Sequence, residues 1–208
     1  MQALIKNIEL LKKSSVGNIV KQRVKDFEQV FISNNERWFS ELCFCLLTAN
    51  SSAIMGLKVQ DALGFDGFSK LSQDELTKRL QELGHRFYNV RAGFIAEARK
   101  NIDIKQRIQS FNDEREAREW LVENIKGLGM KESSHFLRNV GYKNIAILDK
   151  HIINVLSEHN IIERPKNLNK QRYLDIEKRL EELAKATSLS LGELDLYLWY
   201  MKTGKVLK

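Results

Sequence analysis

The stretch NIKGLGMKESSHFLRNVG, residues 124–141, contains the two closely spaced glycines that decide how the surrounding chain folds. Helical patterns lie on both sides, so Gly127 and Gly129 predict a tight hairpin between two helices. Both glycines can adopt a positive φ. The second helix then starts with backbone N–H groups that no carbonyl accepts, and such a helix start binds phosphate groups. A phosphate contact with a nucleic acid fits this geometry, and a plain turn between two helices explains the same glycines.

Two side chains close to the hairpin are candidates for chemistry. Lys131 lies at the start of the helix after the hairpin, and Asp149 follows eighteen residues later. The apolar run 145–148 predicts a buried segment that delivers Asp149 to the start of another helix, where its carboxylate caps free N–H groups. A cap and a catalytic role are compatible. For Lys131, the residues alone favour a phosphate contact or solvent exposure over a catalytic amine.

Helical patterns dominate the rest of the chain, which has one proline and no long strand-like alternation. Capping boxes at 33–36, 72–75 and 190–193 predict three helix starts, and Asn112 is expected to precede a further amphipathic helix that reaches Ile125. Other helical patterns cover residues 16–31, 52–63, 87–100, 131–140, 149–159 and 168–186. The prediction is an all-α protein of about ten helices with short connections.

The composition limits the function classes. Thirty-four lysines and arginines against 27 acids give a net charge of +7, which fits a polyanion partner such as nucleic acid, although ordinary solvated charge explains it equally well. Cys43 and Cys45 are too few for a zinc or iron–sulfur site, so we expect no metal and no cofactor. No apolar run reaches the roughly 20 residues of a membrane span. We therefore expect a soluble, cytoplasmic monomer with no membrane association.

Five blocks of sequence carry a resemblance to a known family. In chain order they are WFSELCFCLLTANSSA, GHRFYNVRAGFI, the hairpin block GLGMKESSHFLRNVGY, AILDKHII and SLGELDLYLWYMKTGKVLK. Gly127, Gly129, Lys131 and Asp149 at this spacing resemble the helix-hairpin-helix superfamily of DNA base-excision glycosylases. The order of the five blocks is similar to the short archaeal-type 8-oxoguanine DNA glycosylase/AP lyase group, which also occurs in some bacteria.

The resemblance implies a bifunctional DNA repair enzyme that excises 8-oxoguanine from double-stranded DNA and cleaves the abasic strand by β-elimination. The two candidate residues suit this chemistry. A deprotonated Lys131 would attack the sugar carbon C1′ and form a Schiff base. Asp149 would stabilise the positive charge that builds on the sugar as the base leaves.

The resemblance also implies residues that read the base and hold the DNA. Phe87 and Trp199 would stack on the base, and Asp195 and the carboxylate of the terminal Lys208 would contact its edge. For DNA contact it implies Asn50 and Ser51 beside the flipped nucleotide, Gly127 and Gly129 in the hairpin, and His151 beside a phosphate. Each of these residues also has a simpler interpretation. Phe87 and Trp199 would be aromatic core residues, and Asp195 a surface acid in a first helical turn. Lys208 would end a frayed tail, Asn50 and Ser51 would form a boundary between two helices, and His151 would be a surface histidine.

We expect two helical lobes with the DNA- and base-binding cleft between them. Residues 32–136 would form the lobe with the hairpin and Lys131. Residues 1–31 and 137–208 would form the lobe with Asp149 and Trp199, so that the lysine and the aspartate face each other. The chain lacks the four-cysteine cluster of thymine-glycol and adenine-mismatch relatives and the large N-terminal β domain of the eukaryotic-type enzyme.

Two other function classes explain part of the pattern. A non-catalytic helix-hairpin-helix DNA-binding protein needs Gly127 and Gly129 but neither Lys131 nor Asp149. An all-α interaction protein without a nucleic-acid role needs none of them and predicts no salt-dependent DNA binding.

Overall fold

The computed structural model describes all 208 residues and contains helices and no strands, which confirms the all-α prediction. Their bounds are α1 Gln2–Lys12, α2 Ser15–Ile32, α3 Asn35–Thr48, α4 Ala53–Lys70, α5 Gln73–Glu82, α6 Tyr88–Ala98, α7 Ile104–Gln109, α8 Glu114–Asn124, α9 Met130–Asn139, α10 Lys150–Glu158, α11 Lys170–Thr187 and α12 Leu191–Thr203. A short 3-10 helix, Arg99–Asn101, follows α6. No helix combines the length and the apolar character that crossing a membrane requires.

The helices form two compact units. Residues 30–140, which we call the hairpin unit, include α3 to α9, and residues 1–29 with 141–208, which we call the terminal unit, include α1 and α10 to α12. The predicted lobe boundaries at 32–136 are close to these limits, and the roles assigned to the two lobes stay predictions.

Side-chain caps set several helix starts. The capping boxes at Ser72 and Ser190 are present as predicted, because each serine accepts a backbone N–H from the glutamate three residues on, and that glutamate bonds back. The box expected at Ser33 is wrong: Asn34 caps α3, and the Ser33 hydroxyl instead donates to the Val30 carbonyl at 2.6 Å. Asp113, one residue after the expected Asn112, caps α8.

Three elements differ from the helical patterns, and one of them is α1, which no predicted pattern covers. The helix predicted over 52–63 continues to Lys70 as α4, with a break at Gly64, whose φ of +58° is a conformation that glycine adopts without strain. The six-residue α7 was not predicted, because a single turn and a half gives too short an apolar pattern.

The core of the hairpin unit surrounds α3, whose residues from Trp38 onward are all buried. This helix packs against α4, α6, α7 and α9. Its buried Glu41 accepts hydrogen bonds from Gln60 of α4 at 3.2 Å and from Asn139 of α9 at 3.2 Å. Since Asn139 ends the helix that begins beside Lys131, this polar network fixes α9 within the unit.

Candidate active site

The hairpin between α8 and α9 depends on one of its two glycines. Gly127 has a φ of +95°, and a Cβ added there would lie 2.3 Å from Cδ2 of Phe94. Gly129 has a φ of −98°, an ordinary backbone conformation, and an added Cβ would first meet Oε2 of Glu132 at 3.4 Å. Of the two glycines that can adopt a positive φ, Gly127 does so, whereas Gly129 is extended.

Gly129 is also the N-cap of α9, and being glycine it supplies no side chain to the N–H groups of the first turn. Its carbonyl accepts the Ser133 N–H at 2.9 Å, so the helix begins directly after the hairpin. The first N–H groups of α9 and the positive end of its dipole favour an anion. A DNA phosphate matches this arrangement.

Lys131 lies in the first turn of α9 with a partly exposed side chain. Its Nζ is 3.0 Å from Oε1 of Glu132, and the two side chains are 30% and 15% exposed. The lysine side chain is therefore partly exposed, and a neighbouring carboxylate holds its amine. Sequence reasoning missed Glu132, although an acid directly after the candidate lysine was visible in the hairpin stretch.

A buried arginine whose pKa responds to the charge of Glu132 is bonded to the C-cap of α3. Burial lowers the pKa of the Arg91 guanidinium, and the negative charge of Glu132 partly opposes that shift. Arg91 donates from Nη2 to the carbonyl of Ala49 at 2.5 Å. Arg91 therefore joins α6 to the C-cap of α3, directly before the loop that follows.

That loop carries the predicted DNA contacts Asn50 and Ser51. Asn50 follows the C-cap of α3 with a φ of +57°, and it is exposed. The Ser51 N–H donates to the Thr48 carbonyl at 2.9 Å, and Ser52 caps α4 by accepting the Met55 N–H at 3.1 Å. The Asn–Ser helix boundary is therefore present, and it leaves the Asn50 side chain exposed on a fixed backbone.

Two residues to which the sequence gave no role, His85 and Arg86, connect Phe87 to α3 and to this loop. The Phe87 N–H donates to Nδ1 of buried His85 at 3.2 Å, so the ring proton is on Nε2, which donates to the Leu47 carbonyl at 2.9 Å. Burial lowers the pKa of His85, which agrees with this neutral form. Arg86 donates to the Asn50 carbonyl at 2.8 Å and lies 4.5 Å from the centre of the Phe87 ring. Phe87 is thus not a simple core residue.

In the terminal unit, Asp149 is the N-cap of α10, as predicted. Its Oδ1 accepts the N–H groups of His151 and Ile152, each at 2.8 Å. Asp149 is half-buried, and both bonds fall on one oxygen. The cap fixes the carboxylate at the start of α10.

His151, Asp195 and Trp199 lie around α10 and α12. The ring of His151 contacts the partly exposed Trp199 edge-on, with 6.0 Å between centroids and 76° between planes. Asp195 precedes Trp199 by one turn and is only 8% exposed, so the surface-acid interpretation is wrong. A buried carboxylate and an accessible indole on one helix suit a pocket that stacks and bonds a base.

The chain end is docked, so the frayed-tail interpretation is wrong. Gly204 ends α12 in a left-handed conformation, and Val206 packs against an apolar cluster that includes Val16, Phe27 and Tyr197. Lys208 is half-buried.

Comparison with known proteins adds a separate line of evidence. The family model described as 8-oxoguanine DNA glycosylase matches residues 20–189. A protein of Methanocaldococcus jannaschii named 8-oxoguanine DNA glycosylase/AP lyase is 50% identical over 206 residues, which cover 99% of each chain. A protein of the same name from Korarchaeum cryptofilum is 53% identical over 207 residues, covering 99% of this chain and 98% of its relative.

Solved structures agree with the sequence relatives. The M. jannaschii 8-oxoguanine glycosylase/lyase in complex with a 15mer DNA containing 8-oxoguanine matches with a TM-score of 0.96 at 50% identity, covering 99% of this chain and 100% of that one. The 8-oxoguanine DNA glycosylase of Thermotoga maritima matches with a TM-score of 0.93 at 42% identity, covering 100% of this chain and 99% of that one.

Proposed function

Because the chain belongs to the 8-oxoguanine DNA glycosylase family, we propose that Lys131 and Asp149 perform the chemistry of a bifunctional DNA repair enzyme. The enzyme removes 8-oxoguanine from double-stranded DNA and then cleaves the strand at the abasic site. The observation that carries the proposal is the partly exposed side chain of Lys131 in the first turn of α9, directly after the Gly127 hairpin.

Lys131 is the nucleophile. Its neutral amine forms a bond to C1′ while the bond from C1′ to the base breaks, and the departing base takes the electron pair of that bond and then a proton. Opening of the sugar ring gives a Schiff base between Nζ and C1′. Loss of a proton from C2′ expels the 3′ phosphate by β-elimination, which breaks the strand. The ion pair with Glu132 explains how the free enzyme keeps this lysine in place before DNA binds.

Asp149 stabilises the positive charge that develops on the sugar during loss of the base. Its carboxylate is fixed by two backbone N–H groups at 2.8 Å, so it needs no reorganisation during the reaction. The same carboxylate is a helix cap, so the cap and the catalytic role use one fixed group.

Base recognition is assigned to aromatic faces and buried polar groups. Phe87 and Trp199 stack on the extruded base, and Asp195 and the terminal carboxylate of Lys208 bond its edge. The partly exposed rings and the low exposure of Asp195 support this assignment. A purine oxidised at C8 carries an N7–H donor that guanine lacks, so an acceptor beside N7 distinguishes the two bases.

DNA contact is assigned to the loop residues Asn50 and Ser51, to Gly127 and Gly129 of the hairpin, and to His151. The exposed side chain of Asn50 and the uncapped start of α9 support the first two assignments. We propose further that the protein acts as a monomer on chromosomal DNA in the cytoplasm and needs no cofactor.

A duplex with one 8-oxoguanine, prepared opposite each of the four bases, tests the function directly. We expect loss of the base, strand cleavage without added alkali, and a covalent adduct after borohydride reduction. Base loss without strand cleavage or adduct would contradict the bifunctional assignment. Salt-dependent DNA binding with neither reaction would favour the non-catalytic helix-hairpin-helix protein.

A further inference from the structure

The segment 145–148, which leads into Asp149, is buried but belongs to neither a helix nor a sheet. Its four residues are at most 7% exposed, and its backbone adopts no regular secondary structure. Buried N–H and C=O groups outside helices and sheets need other partners, because leaving them unpaired is costly. Two side chains of α11 supply those partners.

Tyr173 bonds the segment twice. Its hydroxyl donates to the Ala146 carbonyl at 2.7 Å and accepts the Leu148 N–H at 3.2 Å. Glu177, one turn later on the same face of α11, accepts the Ala146 N–H at 2.9 Å. Tyr173 and Glu177 are 2% and 1% exposed, so water does not compete for these bonds.

We propose that Tyr173 is a positioning residue for the carboxylate of Asp149, an inference that rests on the proposed function. The side-chain cap of Asp149 fixes it to α10 on one side. On the other side, Leu148, the residue before Asp149, is fixed to α11 by the bond from its N–H to the Tyr173 hydroxyl. The carboxylate is therefore oriented from both sides, and a displacement of about 1 Å at a reacting centre costs on the order of 100-fold in rate.

The variant Tyr173→Phe keeps the buried ring and removes only the hydroxyl. We expect its single-turnover rate of 8-oxoguanine excision to fall about ten-fold, while DNA affinity stays within about two-fold of wild type. Tyr197→Phe is the matched control, because Tyr197 is also 2% exposed in the same unit but packs in the cluster of Val16 and Phe27. It should keep the wild-type rate.

A double-mutant cycle separates positioning from a general structural effect. If Tyr173 acts through Asp149, then Tyr173→Phe does not lower the residual rate of Asp149→Asn further. An equal fold-loss in both backgrounds, or no loss in the wild-type background, would overturn the inference. If Asp149→Asn itself keeps the wild-type rate, the proposed function fails as well, so the two failures are distinguishable.

Hydrogen exchange tests the geometry without any variant. The amides of Ala146 and Leu148 should exchange slowly in the intact wild-type protein, because Glu177 and Tyr173 accept them in a buried setting. Exchange at the rate of exposed loop amides would contradict the inference, including in the case where Tyr173→Phe does not fold.

Discussion

Nζ of Lys131 lies 3.0 Å from Oε1 of Glu132, so the proposed nucleophile forms an ion pair with its neighbour in the chain. The amine must leave this contact before it reaches a sugar carbon, and leaving it costs the energy of the ion pair. The pair therefore orients the lysine in the free protein and also opposes its activation.

This relationship predicts that Glu132→Gln accelerates the formation of the covalent adduct. Partly exposed ion pairs contribute about 0.2–1 kcal/mol, so we expect roughly a 1.5- to 5-fold increase in the single-turnover rate of borohydride trapping on an abasic duplex at pH 7. Glu82→Gln is the control, because Glu82 pairs with Arg79 at the same 3.0 Å on α5. Slower trapping by Glu132→Gln would show instead that Glu132 takes the proton from the lysine.

The two hairpin glycines should differ sharply on substitution. Gly127→Ala forces a side chain into a φ of +95° and against Phe94, so we expect it to destabilise the protein by about 2 kcal/mol or more and to weaken DNA binding. Gly129→Ala has an allowed backbone and an ordinary contact, so its unfolding free energy should stay within about 1 kcal/mol of wild type. Denaturant unfolding of both variants measures this, and equal losses would contradict the geometry.

Buried His85 makes the stability of the protein depend on pH in a defined direction. Burial lowers its folded pKa below the unfolded value near 6.5, so the unfolded chain binds the extra proton first. The stability that neutral His85 contributes is complete above about pH 6.5 and is lost as the pH falls towards its folded pKa. The difference in unfolding free energy between wild type and His85→Gln should therefore shrink on acidification from pH 7, and a difference that grows would contradict this assignment.

Trp199 should matter for the damaged base and much less for the sugar chemistry. Stacking on an aromatic ring contributes about 1–3 kcal/mol per base, so Trp199→Ala should slow excision of 8-oxoguanine by roughly 5- to 150-fold. A preformed abasic site has no base to stack, so strand cleavage there should change by less than about three-fold. Equal losses on the two substrates would show that Trp199 supports the fold rather than the base.

The local patterns in the sequence predicted much of this architecture because they are short-range. The serine boxes at Ser72 and Ser190, the hairpin at Gly127 and the cap at Asp149 each depend on residues within one or two helical turns. The error at Ser33 arose because two adjacent asparagines compete for the same cap, and only packing decides between them.

The interactions that position the site were not predictable, since they join distant parts of the chain. Arg86 reaches the carbonyl of Asn50 thirty-six residues away, and Glu177 reaches the Ala146 N–H across thirty-one residues. The sequence does not identify a backbone carbonyl or N–H as the partner of a side chain, because almost every residue carries both groups. The local ion pair of Lys131 with Glu132 was also missed, although it was visible as an adjacent pair of opposite charges.

Borohydride trapping of Lys131→Gln on a duplex that contains 8-oxoguanine tests the central claim most directly. We expect wild type and the control Lys70→Gln to form a covalent protein–DNA adduct, because Lys70 pairs with Asp66 on an exposed face of α4. Lys131→Gln should form none while still binding the duplex in a salt-dependent manner. An adduct from Lys131→Gln at the wild-type rate would contradict the claim that this amine attacks the sugar.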